Sequence, residues 1–382
     1  MAEASIRERD RADRPPQRPR QGLLRGILRR LPLVGTLAGL ALGVWLIATN
    51  DLSAIGAAFG RIGPLGLVAI VLVRGLIVLL CGLAWARVVA GLPPSGRALG
   101  RGDASPEPPV ETGAFVILRF VREGVNVLLP VASVGGEVVG GRLLTFWGVA
   151  GGLAAASLLA DMLIQVATQV AFTLLGAGLL WRLPGEAAAS LARWTTEAAA
   201  LAVAAVAAFF ALQTLGAARG LERRLAGLGR RLLRSAAPEA RTDPASPVGP
   251  SVQDALDAVW ARSRRGRIAE SVALHAAAWA LGAAEIWIVL ACIGIEVSLT
   301  EVLVLESLSQ AIKSAAFPVP SGLGVQEGGF MVVGALFGLD AGTAIALSLA
   351  KRVPDVVLGL PSLIVWQILE ARRAQVLAPP RG

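Results

Sequence analysis

The chain has 382 residues, of which 55% are apolar and 16% charged, and its mean hydropathy is +0.65. Soluble domains run at about 45–50% apolar and about 25% charged, so these figures exclude a disordered chain and an ordinary soluble enzyme. They describe an integral membrane protein with room for about six to eight spans of about 20 residues each. A soluble catalytic domain of about 100–150 residues does not fit beside them.

The net charge of +9 rests on 36 basic residues, of which only Lys313 and Lys351 are lysines. They lie between apolar runs and not on one soluble face, which points to membrane topology and lipid headgroups and away from nucleic acid. Cys81 and Cys292 both sit inside apolar runs, so neither a disulfide framework nor a metal site is expected. His275, the single histidine, cannot build a zinc site alone and is read as a polar residue packed in a helix.

Residues 1–30 are Arg- and Pro-rich, too polar to fold alone, and form a basic arm. The first span covers about Leu31–Thr49, retained as a helix and not cleaved as a leader. Asp51–Gly63 reads as a short connection and Pro64–Trp85 as the second span, with Arg74 near its middle. A proline-rich polar loop covers 86–112. An apolar but interrupted stretch, Phe115–Trp147, precedes a long apolar tract, Val149–Trp181, whose one acid is Asp161. A further span covers about Thr195–Leu215. The basic segment 216–267 follows, with a surface helix at Val252–Arg265. Ile268–Ile293 is a span carrying His275 and Glu285. A second interrupted stretch covers Thr300–Phe337, and the last span runs from about Ala341 to Leu369. The domain reading is an arm (1–30), a membrane domain (31–370) and a short tail (371–382).

Assigning 1–30, 85–114, 216–268 and 370–382 to one side places 26 basic residues there, against 3 in the opposite connections 50–63, 182–194 and 294–300. That asymmetry puts both termini and the large loop in the cytoplasm. The other basic residues, Arg74, Arg119, Arg122, Arg142, Lys313, Lys351 and Arg352, lie within apolar stretches. Each costs about 2.5–3.5 kcal/mol at the centre of a lipid-facing helix, so most must face a cavity, a partner or the interface.

The two interrupted stretches resemble each other when Pro130 is aligned with Pro318. Each has a polar helix, a proline, a serine (Ser133, Ser321), glycines (Gly135 and Gly136; Gly322 and Gly324) and a glutamate (Glu137, Glu327). Before them, Arg119, Arg122, Glu123 and Asn126 occupy one helix face, and Glu306, Ser309, Gln310 and Lys313 repeat the spacing. The first copy is entered from the cytoplasmic side and the second from the outside. The expected architecture is therefore all-α, with about six full spans and two re-entrant hairpins in inverted repeats. In transporters of that plan the substrate site lies near the midplane.

The string FPVPSGLGVQEGGFMVVGALFGL, followed by LAKRVPD, resembles the C-terminal signature of the lysylphosphatidylglycerol synthase/flippase transmembrane-domain family. REGVNVLLP…GGE resembles that family's first-half motif. The likeness runs over about residues 31–370 and is greatest to the hopanoid-biosynthesis-associated (HpnL-type) branch, without the soluble aminoacyl-transferase domain of the two-domain members. Where the family often carries Glu-Arg, the first long helix reads Ala160-Asp161, so only Lys351, Arg352 and Asp355 carry over from that motif's second copy.

The resemblance implies translocation of an amphiphilic lipid, phospholipid or hopanoid-related, across the bacterial inner membrane. The headgroup would enter a cavity lined by Arg119, Arg122, Glu123, Asn126, Lys313, Glu327 and Arg352, with Pro130, Gly135, Gly136, Pro318, Gly322 and Gly324 shaping the hairpins. No nucleotide motif is present, and no cofactor is expected. The expected partners are the membrane lipid itself and enzymes of lipid biosynthesis. Two alternatives stand beside this reading: an intramembrane lipid-modifying enzyme with Glu123 or Glu327 as acid or base, and a non-transporting partner of lipid synthesis. The same residues also have purely structural readings. Glu137 and Glu327 could serve helix N-termini, the arginines could snorkel, and Arg74 could pair with Glu285 across the halves.

The charge asymmetry predicts that single cysteines at Ala245 and Gly294, in a background lacking Cys81 and Cys292, label from opposite sides of the membrane. Labelling of both by an impermeant thiol reagent in intact cells would refute the topology.

Overall fold

A computed structural model describes residues 51–95, 109–129, 135–215, 250–316 and 322–377, with isolated positions between 41 and 49 and at 319. The first span, both hairpin prolines (Pro130 and Pro318) and the serines Ser133 and Ser321 fall wholly or largely outside the described residues. Among those described there is no strand. The helices are α1 (Leu52–Val89), α2 (Thr112–Leu128), α3 (Gly135–Leu144), α4 (Gly151–Leu180), α5 (Glu186–Thr214), α6 (Val252–Val259), α7 (Arg265–Ile293), α8 (Leu299–Ala315), α9 (Val325–Ala335) and α10 (Ala341–Leu377). Helices α1, α4, α5, α10 and the stretch Arg262–Ile293 around α7 are long and apolar enough to cross a membrane. The chain is an all-α, multi-pass membrane protein.

Residues 52–62, expected as a connection, are helical. The Asp51 carboxylate accepts from the Ser53 and Ala54 amides, a helix N-cap. Ile55, Ala58 and Ile62 bury one face of this first part of α1. The break expected before Pro64 survives as a kink, with Gly63 at φ 65°, where a side chain would be strained. α5 starts nine residues before the expected Thr195, at Glu186. The surface helix ends at Val259, and α10 runs on through Leu377, into the expected tail.

The short helices form two hairpins. α3 folds back on α2, since a Cβ at Gly136 would strike the Arg122 carbonyl and one at Gly140 the Arg122 side chain. α9 folds back on α8, with Gly329 against Ile312. At 17 and 10 residues, α2 and α3 reach about 25 Å and 15 Å at 1.5 Å per residue, short of a 30 Å hydrocarbon core.

The two apolar clusters show how the hairpins are set. One gathers the end of α1 (Val89), the start of α2 (Phe115), the end of α3 (Leu144), the start of α4 (Leu153), α6 (Leu256) and the end of α10 (Leu369). The other gathers the start of α1 (Ile62), the end of α4 (Leu180), the end of α7 (Ile293), the start of α8 (Val302), the end of α9 (Val333) and the start of α10 (Ala344). The first hairpin therefore enters and leaves at one end of the bundle, and the second at the opposite end. Arg142 at the end of α3 bonds Glu370 near the end of α10 at 2.8 Å, which agrees.

Small residues let the helices cross closely, as membrane helices require. A Cβ at Gly124 of α2 would collide with Ser362 Oγ of α10 and lie 3.0 Å from the Gly359 carbonyl oxygen. Gly124→Ala should cost about 1–3 kcal/mol as overpacking, seen as a lower melting temperature in detergent. Adding Ser362→Gly should recover much of it; strict additivity of the two losses would show that the crossing is not what Gly124 serves.

Candidate functional site

The polar stripe of α2 splits in two. At 3.6 residues per turn, Arg122 and Asn126 fall on one flank and Arg119 and Glu123 on the other. The first flank faces α3 and α4. Arg122 is fully buried; it donates to Asp161 Oδ2 of α4 and to Glu137 Oε1 of α3, both at 2.9 Å. Its guanidinium stands 4.7 Å from the centre of the Trp85 ring. Asn126 accepts from the Gly136 amide at 2.8 Å and donates to Glu137 at 2.9 Å, so it caps α3 and orients its acid. On the far side of Asp161, His275 Nε2 of α7 lies 3.0 Å from Oδ1. The carboxylate can only accept, so Nε2 carries a proton.

The second half carries a clamp of opposite sign. Lys351 of α10 lies 2.6 Å from Glu306 of α8 and 3.0 Å from Glu285 of α7, and Glu285 also receives Arg74 of α1 at 2.8 Å. Asp161 and Lys351 are separated in sequence by the same distance as Glu137 and Glu327. Each is held by the hairpin helix of its own half and by α7, an acid between an arginine and a histidine in one half and a cation between acids in the other. Arg352 closes the second hairpin on Glu327 at 2.7 and 3.1 Å, and Ser348 donates to the same carboxylate.

Between the clamps lies a chamber of about 150 Å³, lined by Arg74 and Cys81 of α1, Arg119 and Glu123 of α2, Gln165 of α4, His275 and Trp279 of α7, and Gln310 and Lys313 of α8. Here the two hairpin stripes meet. Arg119 bonds Gln165 at 3.0 Å and Glu123 at 3.2 Å. Lys313 is half-buried, its stem laid against Gly322, where a Cβ would fall 2.8 Å from Lys313 Cγ. The Lys313 ammonium has no hydrogen-bond or ion-pair partner among the described residues.

A second cavity, about 910 Å³ and apolar, lies between α4, α7 and α8, with Thr168, Phe172, Trp287 and Leu303 in its wall. Trp279 stands between the two spaces. Its ring lines the chamber, and its indole N–H donates to Thr168 of the groove at 3.2 Å.

Of the residues expected to line a headgroup cavity, Arg119, Glu123 and Lys313 are on the wall of this chamber. Arg122, Asn126, Glu327 and Arg352 lie off it, bonded among the hairpin helices, α4 and α10. Gly322 and Gly324, at φ 58° and 72°, form the turn into α9, and Gly135 and Gly136 open α3. Asp161, His275, Gln165, Trp279 and Glu306 were absent from the expected set. Asp161 had the clearest signal, as the one acid in a long apolar tract opposite Lys351. The expected Arg74–Glu285 pair is present.

Arg122→Ala should therefore strand Asp161 and Glu137 in a dry interior, at about 3–5 kcal/mol, and cut both melting temperature and membrane yield. Arg122→Lys should recover only part, since a point-charge ammonium lacks the planar guanidinium fork that Arg122 extends to Asp161 and Glu137. Lys313→Ala should melt close to wild type. Equal stability of the Arg122 and Lys313 alanine variants would contradict this division of roles.

A family model described as "lysylphosphatidylglycerol synthase TM region" matches residues 33–361, and so takes in the chamber, both hairpins and both clamps. No curated protein and no solved structure matches the chain. By that match, which covers most of its length, the chain belongs to the lysylphosphatidylglycerol synthase transmembrane-region family.

Proposed function

We propose that the protein moves an anionic amphiphile, a phospholipid or a phosphorylated hopanoid precursor, between the leaflets of the bacterial inner membrane, with both of its own termini in the cytoplasm. The observation that carries this reading is the Lys313 ammonium, without an ion-pair or hydrogen-bond partner among the described residues, in a chamber that both hairpins line. A free cation within a membrane bundle is costly and is retained where it meets a ligand. A headgroup crossing hydrocarbon needs its water replaced by fixed polar groups, and Lys313, Arg119 and Gln310 supply them. The apolar groove, whose Thr168 accepts from the Trp279 indole of the chamber wall, suits the tails. The hairpins open to opposite ends, as inverted repeats would place them, and that arrangement lets the chamber be exposed to one leaflet or the other.

A second reading, covalent lipid chemistry, has one observation in its favour: the Cys81 thiol and the His275 imidazole line the same chamber. A single experiment separates the two. Purified protein in liposomes with labelled phosphatidylglycerol should transfer label between leaflets without new covalent products. Lys313→Ala should reduce the rate by about tenfold or more, the loss of one charge-assisted contact of about 1.5–3 kcal/mol. Normal transfer by a stable Lys313→Ala protein would remove the chamber from the mechanism; a new product without transfer would favour the enzyme.

A further inference from the structure

The two clamps differ in how their charges close. The second contains two cations, Arg74 and Lys351, and two acids, Glu285 and Glu306, and is neutral as built. The first contains Arg122 against Asp161 and Glu137, one cation against two acids. The Arg119–Glu123 and Arg352–Glu327 pairs are balanced and contribute nothing to the difference. Leaving a net charge among buried groups is expensive, and the member of the first clamp able to close it is His275, by carrying a second proton.

His275 is also placed to do so reversibly. It is 1% exposed, yet its Nδ1 has no hydrogen-bond partner and the residue lines the chamber. With Nε2–H committed to Asp161, a neutral imidazole presents a lone pair at Nδ1, which repels an anionic oxygen. An imidazolium presents an N–H there, which binds one. The Cys81 thiol of α1, beside the ring, is the donor available to the neutral form. The other charged groups facing this space are Arg74, Arg119 and Glu123, and Lys313 from α8.

We infer that His275 is a proton-binding site coupled to the chamber, so that an anionic headgroup and one proton bind together. The inference rests on the chamber being a headgroup site, and it names the coupling ion for that site. No bond is made or broken beyond the N–H: the proton arrives from the aqueous side with the lipid and leaves with it. A singly charged lipid anion then crosses as a neutral pair, which removes most of the cost of carrying charge through the bilayer. Binding coupling of this kind is reciprocal: the anion favours the proton as much as the proton favours the anion. Arg122, across Asp161, holds the carboxylate in place in both states.

The chain has one histidine, so a ¹³C-histidine label reports this ring alone by NMR. Protein in phosphatidylcholine nanodiscs should be compared with protein in nanodiscs containing phosphatidylglycerol. At a pH within the transition, the anionic lipid should raise the imidazolium-to-imidazole ratio by about tenfold, the effect of one unit charge a few ångströms away. Lys313→Ala should keep the titration and lose the rise, which separates binding in the chamber from acidification of the lipid surface. Identical titrations of wild-type protein in the two lipids, or a rise that persists in Lys313→Ala, overturns the inference. In liposomes, a pH gradient should accelerate transfer of labelled phosphatidylglycerol by wild-type protein and not by His275→Gln. Transfer that ignores the gradient overturns the coupling and leaves translocation standing. Absence of any transfer refutes translocation, while the NMR comparison still decides whether proton and anion bind together.

Discussion

A charge inside a membrane bundle must be met by another charge or by water, and the interior of this protein is arranged around that constraint. Asp161 is gripped by Arg122 and His275, and Lys351 by Glu306 and Glu285. These contacts tie a hairpin helix, a long helix and α7 together in each half. Apolar side chains cannot supply that directionality, because lipid tails are as apolar as leucine. The helices instead approach through glycine and are fixed in register by ion pairs. A buried pair is weak evidence for net stability, but breaking one is costly, so the clamps set which arrangement of helices is allowed more than how stable it is.

Outside the clamps, Arg119, Glu123 and Lys313 line the chamber. Arg119 and Glu123 neutralise each other on its wall, while Lys313 has no ion-pair partner among the described residues. The turn at Gly322 helps to place that ammonium, since the lysine stem needs the space a Cβ would take. The polar chamber and the apolar groove lie on either side of Trp279, so the bundle offers an amphiphile two adjoining environments of the kinds its two parts need. A headgroup and its tails could then be accommodated without unfolding any spanning helix.

The halves are alike in layout and unlike in charge. A permanent cation sits at the centre of one clamp, and an acid shared between an arginine and a histidine sits at the centre of the other. That asymmetry leaves one member of the clamps, His275, able to take or release a proton at Nδ1 while Nε2 stays on Asp161. Two equally permanent clamps would form a static scaffold.

Composition and hydropathy determined the membrane class and five of the six expected long helices; the sixth, at 31–49, lies largely outside the described residues. The spacing of proline, serine, glycine and glutamate in two places determined that there are two interrupted segments, because broken helices in an apolar run leave local marks. The Arg74–Glu285 pair was legible too, as two lone opposite charges in spans of opposite halves. The tertiary structure alone decided which charges of each stripe are structural and which are free. Arg122 and Arg119 are three residues apart on one helix and look equivalent in sequence, yet one faces Asp161 and the other the chamber. Their partners on α4, Asp161 and Gln165, lie far along the chain. Helix periodicity says which residues share a face, but what that face meets is set by the packing of distant helices.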